Sequence, residues 1–200
     1  MSGAQVVIVA SGGANIASLQ FALERLDVTS RVSAEPGIIR DATHVILPGV
    51  GAAADAMMRL RGAGLDELIP TLRQPVLGIC LGMQLLFEAS DEGQTRCLGI
   101  IPGRATRFAD GPGVRVPHIG WNTLVTLRDS ALLAGIEVED HAYFVHSYSL
   151  PVSGATVAST WYGEPFSACV EWENFYGMQF HPERSARVGS RLLNNFLGIH

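Results

Sequence analysis

Residues 75–86 read Pro-Val-Leu-Gly-Ile-Cys-Leu-Gly-Met-Gln-Leu-Leu. Val76 to Ile79 is a short apolar run of the kind that fills a strand buried on both faces. The glycine-flanked Cys80 then turns it into a second apolar run, read as a helix from Gly82 to Glu88. The same succession repeats toward the N-terminus. Gln5–Ala10 (QVVIVA) is followed by Ile16, Leu19, Leu23 and Leu26 at helical spacing, with Asn15 placed to cap that helix. Thr43–Gly49 (THVILPG) is followed by a helix from Ala52 to Leu60. Strand–helix repetition implies a parallel sheet covered by helices.

Beyond residue 100 the texture changes. Short β-like pieces separated by Gly and Pro follow one another: VPHIGWNTLV, AYFVHSYSL, ATVAST, FSACVEW and FYGMQF. Ala186 to Leu197 closes the chain as an amphipathic helix carrying Val188, Leu192, Leu193 and Phe196. There is no internal repeat and no linker-like segment. The expected fold is α/β: a three-layer, mostly parallel central sheet flanked by helices, antiparallel in its second half, with residues 1–200 forming a single domain.

Composition narrows the function classes. The 200 residues are 48% hydrophobic and 16% charged, which suits a chain with a substantial core. The net charge of −5, with no basic run, speaks against a nucleic-acid partner. The N-terminus lacks the charged region of a signal peptide, and no stretch approaches the roughly 18 apolar residues of a membrane span. Three cysteines without CxxC pairing argue against a disulfide framework or zinc site and for the reducing cytoplasm. Neither a metal nor a cofactor is expected.

Cys80 has two readings. A cysteine in an apolar strand is often a small buried hydrophobe, and composition alone favours neither alternative. Gly78-Ile-Cys-Leu-Gly82 also fits a nucleophile elbow, with cysteine where hydrolases of another fold place serine. There the glycines let neighbouring backbones pass closely, the adjoining helix start favours thiolate, and the Leu81 amide faces the site where an oxyanion develops. A cysteine nucleophile needs a base and a group that orients the base. Of the six histidines, His44 and His200 lack a nearby carboxylate, whereas His181 has Glu183 two residues on in Phe-His-Pro-Glu (180–183). In an extended segment these two side chains share a face. Leu-Pro-Gly-Val-Gly (47–51) ends another predicted strand, and its glycines allow an amide to turn toward an oxyanion. Taken alone, it reads as an ordinary turn; beside Cys80 it completes a constellation.

Together these pieces resemble the class I, triad-type glutamine amidotransferases. VPHIGWN (116–122), YFVHSY (143–148), NFYGMQFHPERS (174–185) and the closing LLNNFL are similar to the glutaminase subunits of imidazole glycerol phosphate synthases, and the similarity spans essentially the whole chain. The resemblance implies a flavodoxin-like fold and hydrolysis of L-glutamine to glutamate and ammonia. It also implies delivery of ammonia to a (β/α)₈-barrel cyclase subunit in histidine biosynthesis, as a heterodimer. It makes Cys80 the nucleophile, His181 the general acid/base and Glu183 its orienting partner. The amides of Val50 and Leu81 become oxyanion donors, with Gly49, Gly51 and Gly82 shaping the loops. Gln84, Ser147 and Tyr148 fall where glutamine is held, and Asn15, Pro117, His118, Trp121, Tyr143 and Arg184 where the partner docks. Three positions depart from the usual pattern: Ala14 precedes Asn15 where glycine is usual, Ile119 replaces methionine and Arg184 replaces lysine. Glutaminase subunits of other pathways share the triad. A non-catalytic protein that binds glutamine and a stand-alone cysteine hydrolase are the readings from other classes.

Overall fold

The computed structural model describes residues 5–12, 16–111, 113–126, 128–137 and 139–200. The strands are β1 (Val6–Val9), β2 (Ser30–Ser33), β3 (His44–Gly49), β4 (Val76–Cys80), β5 (Phe87–Ser90), β6 (Thr95–Arg96), β7 (Ile101–Arg107), β8 (His118–Thr123), β9 (Val125–Thr126), β10 (His141–His146), β11 (Tyr148–Ser149), β12 (Thr156–Tyr162), β13 (Glu164–Trp172) and β14 (Phe175–Met178). The helices are α1 (Ile16–Glu24), α2 (Pro36–Arg40), α3 (Ala53–Gly62), α4 (Leu65–Leu68), α5 (Leu81–Leu85) and α6 (Ala186–Leu197). The chain is an α/β protein built on an eight-stranded sheet of order β2-β1-β3-β4-β14-β13-β12-β9. The first five strands run parallel and the last three pair antiparallel.

Every residue of β1, β4 and β14 is buried, as expected for strands covered on both faces. Alternation along β1 divides the core. Val6 and Ile8 join Leu19, Leu23, Phe166, Leu192 and Phe196 on one side of the sheet. Val7 and Val9 join Val45, Met57, Leu60 and Met83 on the other. The closing helix buries Val188, Leu192, Leu193 and Phe196, the stripe expected from its periodicity. Its Gly189 lies so close to the Pro182 carbonyl that a Cβ would collide with that oxygen. Among the described residues, no helix is long and apolar enough to cross a membrane.

The structure departs from the helix expected from Gly82 to Glu88. The helix after Cys80 is a single short turn-and-a-half, Leu81–Leu85, and Phe87–Ser90 is a strand rather than the end of a helix. The carbonyls of Leu85, Leu86, Phe87 and Glu88 accept instead from the amides of Leu98, Ile100, Gly99 and Cys97. These tertiary donors satisfy the carbonyls that a longer helix would have used internally. Phe87–Ser90 thereby enters a second sheet of order β11-β7-β5-β6, while β8 and β10 form a separate antiparallel pair.

Candidate active site

Register in the parallel half of the sheet assembles the site. Gly49 at the end of β3 pairs with Cys80 at the end of β4, and Met178 of β14 pairs with Ile79. Strands β3, β4 and β14 are neighbours and point the same way, so the PGVG loop, Cys80 and the His181 segment emerge side by side. Ligand sites of open α/β sheets characteristically lie at this carboxyl edge.

Cys80 has φ 54° and ψ −113°, a conformation outside the regions open to L-residues without strain. Such strain costs about 1–3 kcal/mol and persists where surroundings over-determine it. Here they do. A Cβ on Gly82 would run into the Leu47 carbonyl and lie 3.2 Å from the carbonyl carbon of Pro48, so the elbow and β3 meet backbone to backbone. A Cβ on Gly78 would lie 2.7 Å from the Met83 amide. Cys80 itself is buried, 6% exposed.

His181 follows β14 and is fixed twice through its backbone: its amide donates to the Tyr143 carbonyl and its carbonyl accepts from Ser185 Oγ at 2.7 Å. Its Nδ1 donates to Glu183 Oε1 at 3.0 Å. That leaves Nε2 for the hydrogen bond between the ring and Cys80. Burial acts to lower the His181 pKa. The hydrogen bonds to Cys80 and Glu183, with the negative charge of both, override it and raise the value to about 10. The ring is therefore held as imidazolium, a proton donor to whatever leaves the site. The segment joining His181 to Glu183 is a single 3-10 turn at Pro182–Arg184, not the extended strand expected. The turn closes through Arg184 N to His181 O and Ser185 N to Pro182 O, and that curvature brings the carboxylate back to the ring.

Val50 and Gly51 lie beside the elbow because Gly49 is in register with Cys80; Gly51 has φ 88°, open to glycine at little cost. Gln84, Ser147 and Tyr148 line a cleft of about 260 Å³ next to Leu81 and Gly51. Glu92 also lines it, and one of its oxygens accepts from the Ala53 amide at 2.7 Å. Glu92 escapes a reading of the sequence because it sits in a polar Ser-Asp-Glu-Gly turn that looks like ordinary loop. Gln179 escapes it too, as one more residue of a β-like piece; it is fully buried with its amide nitrogen 3.9 Å from Cys80 Sγ.

The residues expected at a partner surface separate. Trp121 is exposed, its ring edge-on to Tyr143 at 5.7 Å, and the exposed Arg184 guanidinium sits over Tyr143 at 4.7 Å. Pro117 and Ile119 are exposed beside them. Asn15 lies outside the described residues. His118 differs from the expectation: it is 3% exposed, stacked on Tyr162 at 4.0 Å and on Phe144 at 5.2 Å. Alternation along β8 turns it inward between the outward Pro117 and Ile119. Burial lowers its pKa to about 4 and that of its neighbour His146 to about 3, so both rings are neutral. The other cysteines are core residues, with burial pushing the Cys97 thiol up to about 11 and raising that of Cys169 as well.

Comparison with known proteins agrees with this geometry. Residues 8–199 match the family model described as glutamine amidotransferase class-I. The imidazole glycerol phosphate synthase subunit HisH of Xanthomonas axonopodis pv. citri (strain 306) is 52% identical over 192 residues, covering 96% of each chain. That of Xylella fastidiosa (strain Temecula1 / ATCC 700964) is 50% identical over 193 residues, with 96% of each covered. Among solved structures, a glutamine amidotransferase superposes with a TM-score of 0.75 at 19% identity, covering 96% of this chain and 97% of that one. A glutamine amidotransferase from Thermotoga maritima gives 0.67 at 17% identity, over 97% and 82% of the two chains. These two likenesses concern the fold alone. A family match over nearly the whole length and relatives at half identity lead to one conclusion: the chain belongs to the class I glutamine amidotransferases.

Proposed function

We propose that this chain is the glutaminase subunit of an imidazole glycerol phosphate synthase. As a single unit in the cytoplasm, without a cofactor, it supplies ammonia to a (β/α)₈-barrel cyclase subunit for histidine biosynthesis. The observation that carries the reading is the hydrogen-bonded line from Glu183 through His181 to Cys80, on a chain about half identical to proteins named as HisH subunits. Glutamine lies in the cleft beside Leu81, held by Gln84, Ser147 and Tyr148, with the Glu92 carboxylate available to its α-ammonium group.

The Cys80 thiolate attacks the side-chain amide carbon of glutamine, and the carbonyl π-electrons move onto oxygen, where the Val50 and Leu81 amides stabilise them. When the tetrahedral adduct collapses, the C–N bond breaks and His181 Nε2–H protonates the leaving nitrogen. Ammonia departs and a γ-glutamyl thioester remains. Neutral His181 then takes a proton from water, the resulting hydroxide attacks the thioester carbon, and the C–S bond breaks to restore the thiolate–imidazolium pair and release the γ-carboxylic acid, which gives its proton to solvent to become glutamate. Glu183 holds the imidazolium in the tautomer and orientation that both steps need. Ammonia released in a sealed site stays neutral and nucleophilic, whereas in bulk water at neutral pH it is mostly ammonium.

The partner docks on the face carrying Pro117, Ile119, Trp121, Tyr143 and Arg184, and His118 supports that face from beneath. The PGVG loop is the switch that ties hydrolysis to the partner's ligand. A small void of about 20 Å³ lined by Pro48, Gly49, Val50, His181 and Glu183 gives the Val50 peptide room to reorient. Cys80→Ala in the complex with a cyclase subunit is expected to abolish glutamine-dependent synthesis and leave ammonium-dependent synthesis intact. Glutamine-dependent turnover that survives the substitution refutes the mechanism, and full glutaminase activity in the isolated chain refutes the switch.

A further inference from the structure

The buried polar groups that lead to Cys80 form a hydrogen-bond chain in which every direction is forced. The Tyr148 carbonyl can only accept. His146 Nδ1, at 2.8 Å, and Gln84 Nε2, at 2.8 Å, must both donate to it, which uses both of its lone pairs. With its proton on Nδ1 and its ring neutral, His146 accepts at Nε2 from His118 Nδ1 at 3.2 Å. The NH₂ group of Gln84 is thereby fixed toward Tyr148, and its second N–H reaches Gln179 Oε1 at 2.9 Å. The Gln179 amide consequently has its oxygen facing Gln84 and its NH₂ facing Cys80 Sγ, at 3.9 Å. Gln179 is fully buried and Gln84 is 3% exposed, so water does not compete for these groups. The Val145 carbonyl also lies 3.8 Å from the sulfur and can accept only from the protonated thiol.

We propose that Gln179 is a positioning residue that donates to the Cys80 sulfur and favours its thiolate, with Gln84 and the Tyr148 carbonyl locking the amide in the donating orientation. The inference rests on Cys80 being the nucleophile. A packing role alone would be met by any side chain of similar length, whereas a donor role requires the NH₂. The ionisable groups around the sulfur are His181, which bonds to it, Glu183, which bonds to that ring, and His146, which interacts electrostatically with His181; Gln179 adds a donor whose orientation does not change with pH.

The test compares the unaltered full chain with Gln179→Met, which fills the same space without a donor, and Gln179→Glu, which turns an acceptor toward the sulfur. The rate at which iodoacetamide alkylates Cys80, located by peptide mass mapping, is measured across pH. Gln179→Met is expected to slow alkylation at neutral pH about fivefold, with the rates converging at high pH, and Gln179→Glu to slow it further. In the complex with a cyclase subunit, kcat for glutamine falls while KM and ammonium-dependent synthesis are little changed. A folded Gln179→Met chain that alkylates at the unaltered rate overturns the proposal but leaves the nucleophile assignment standing, since that assignment fails only if Cys80→Ala retains glutamine turnover. If both variants fail to fold, the unaltered chain decides. The side-chain amide protons of Gln179 must shift in step with the thiolate ultraviolet absorbance of Cys80, and a resonance indifferent to that titration overturns the proposal.

Discussion

Gly82→Ala is the substitution whose cost follows most directly from backbone placement. The added Cβ would run into the Leu47 carbonyl oxygen, which belongs to strand β3 and cannot swing aside as a side chain would. Restoring ordinary contact requires β3 and the elbow to part by roughly 1 Å or more. The register pairs at stake are Leu47–Gly78, Pro48–Ile79 and Gly49–Cys80. Losing two or three ladder hydrogen bonds at about 1 kcal/mol net each, with a buried carbonyl left to find a new partner, gives a destabilisation of about 2–4 kcal/mol. Gly37→Ala is the matched control: it sits in α2 with no heavy atom within 4 Å of the added methyl and no left-handed φ. There the alanine is expected to be neutral or to stabilise by up to about 1 kcal/mol. Urea unfolding of the three chains, followed by circular dichroism, measures the difference. A Gly82→Ala chain within about 1 kcal/mol of the unaltered protein would refute the claim that elbow and strand meet without room for a methyl group.

Acid stability is expected to depend on the two buried rings. Unfolded histidines bind protons near pH 6.5, whereas burial holds His118 to about 4 and His146 to about 3 in the fold. Below pH 6.5 the unfolded state therefore takes up protons that the folded state refuses, and stability falls with pH at about 1.4 kcal/mol per unit for each ring until its own value is reached. His118→Phe, which keeps the stacking on Tyr162 and Phe144, should lessen the loss between pH 8 and pH 5 by about 2 kcal/mol, read from urea midpoints across pH. His181 titrates in the opposite sense: its value is raised, so its contribution is complete below pH 6.5 and lost as pH rises toward about 10. Glu183→Gln removes the charge that supports this ring and is expected to lower kcat for glutamine by about 10- to 100-fold, the worth of one charge-assisted hydrogen bond, without loss of ammonium-dependent synthesis. Steady-state assays of the complex with both nitrogen donors check it.

The parts of this molecule legible in its sequence are those where one local pattern permits one structure. Val6–Val9 and Val76–Cys80 are continuous apolar runs too short for helices, and the closing helix carries its stripe at an unmistakable period. The motifs at strand ends are legible because their residue types are unusual together. What escapes is decided by distant partners. Leu85 to Glu88 continue a helical pattern, yet amides from residues 97–100 claim their carbonyls. Strand β7 reads Ile-Pro-Gly-Arg-Ala-Thr-Arg, polar and largely exposed, and is held by pairing to β5 and β11 rather than by its own propensity. Strand β2, Ser-Arg-Val-Ser, is an edge strand with no apolar signature. His118 sits among surface residues along the chain, and only the pairing of β8 with β10 turns it inward against Tyr162. The role of Gln179 depends on the orientation of two other side chains, which no spacing along the chain encodes.

The placement of the nucleophile and its base on neighbouring strands has a consequence during synthesis. About 100 residues separate Cys80 from His181, so at about 5–20 residues per second the sulfur is made roughly 5–20 s before its base. Throughout that interval the position on the sheet that β14 will occupy is empty, and the ring that hydrogen-bonds to the sulfur does not exist. The nascent chain therefore carries its sulfur through translation with no base beside it. It becomes a nucleophile only when the last strand and the closing helix dock, so that arming the site and finishing the fold are one event.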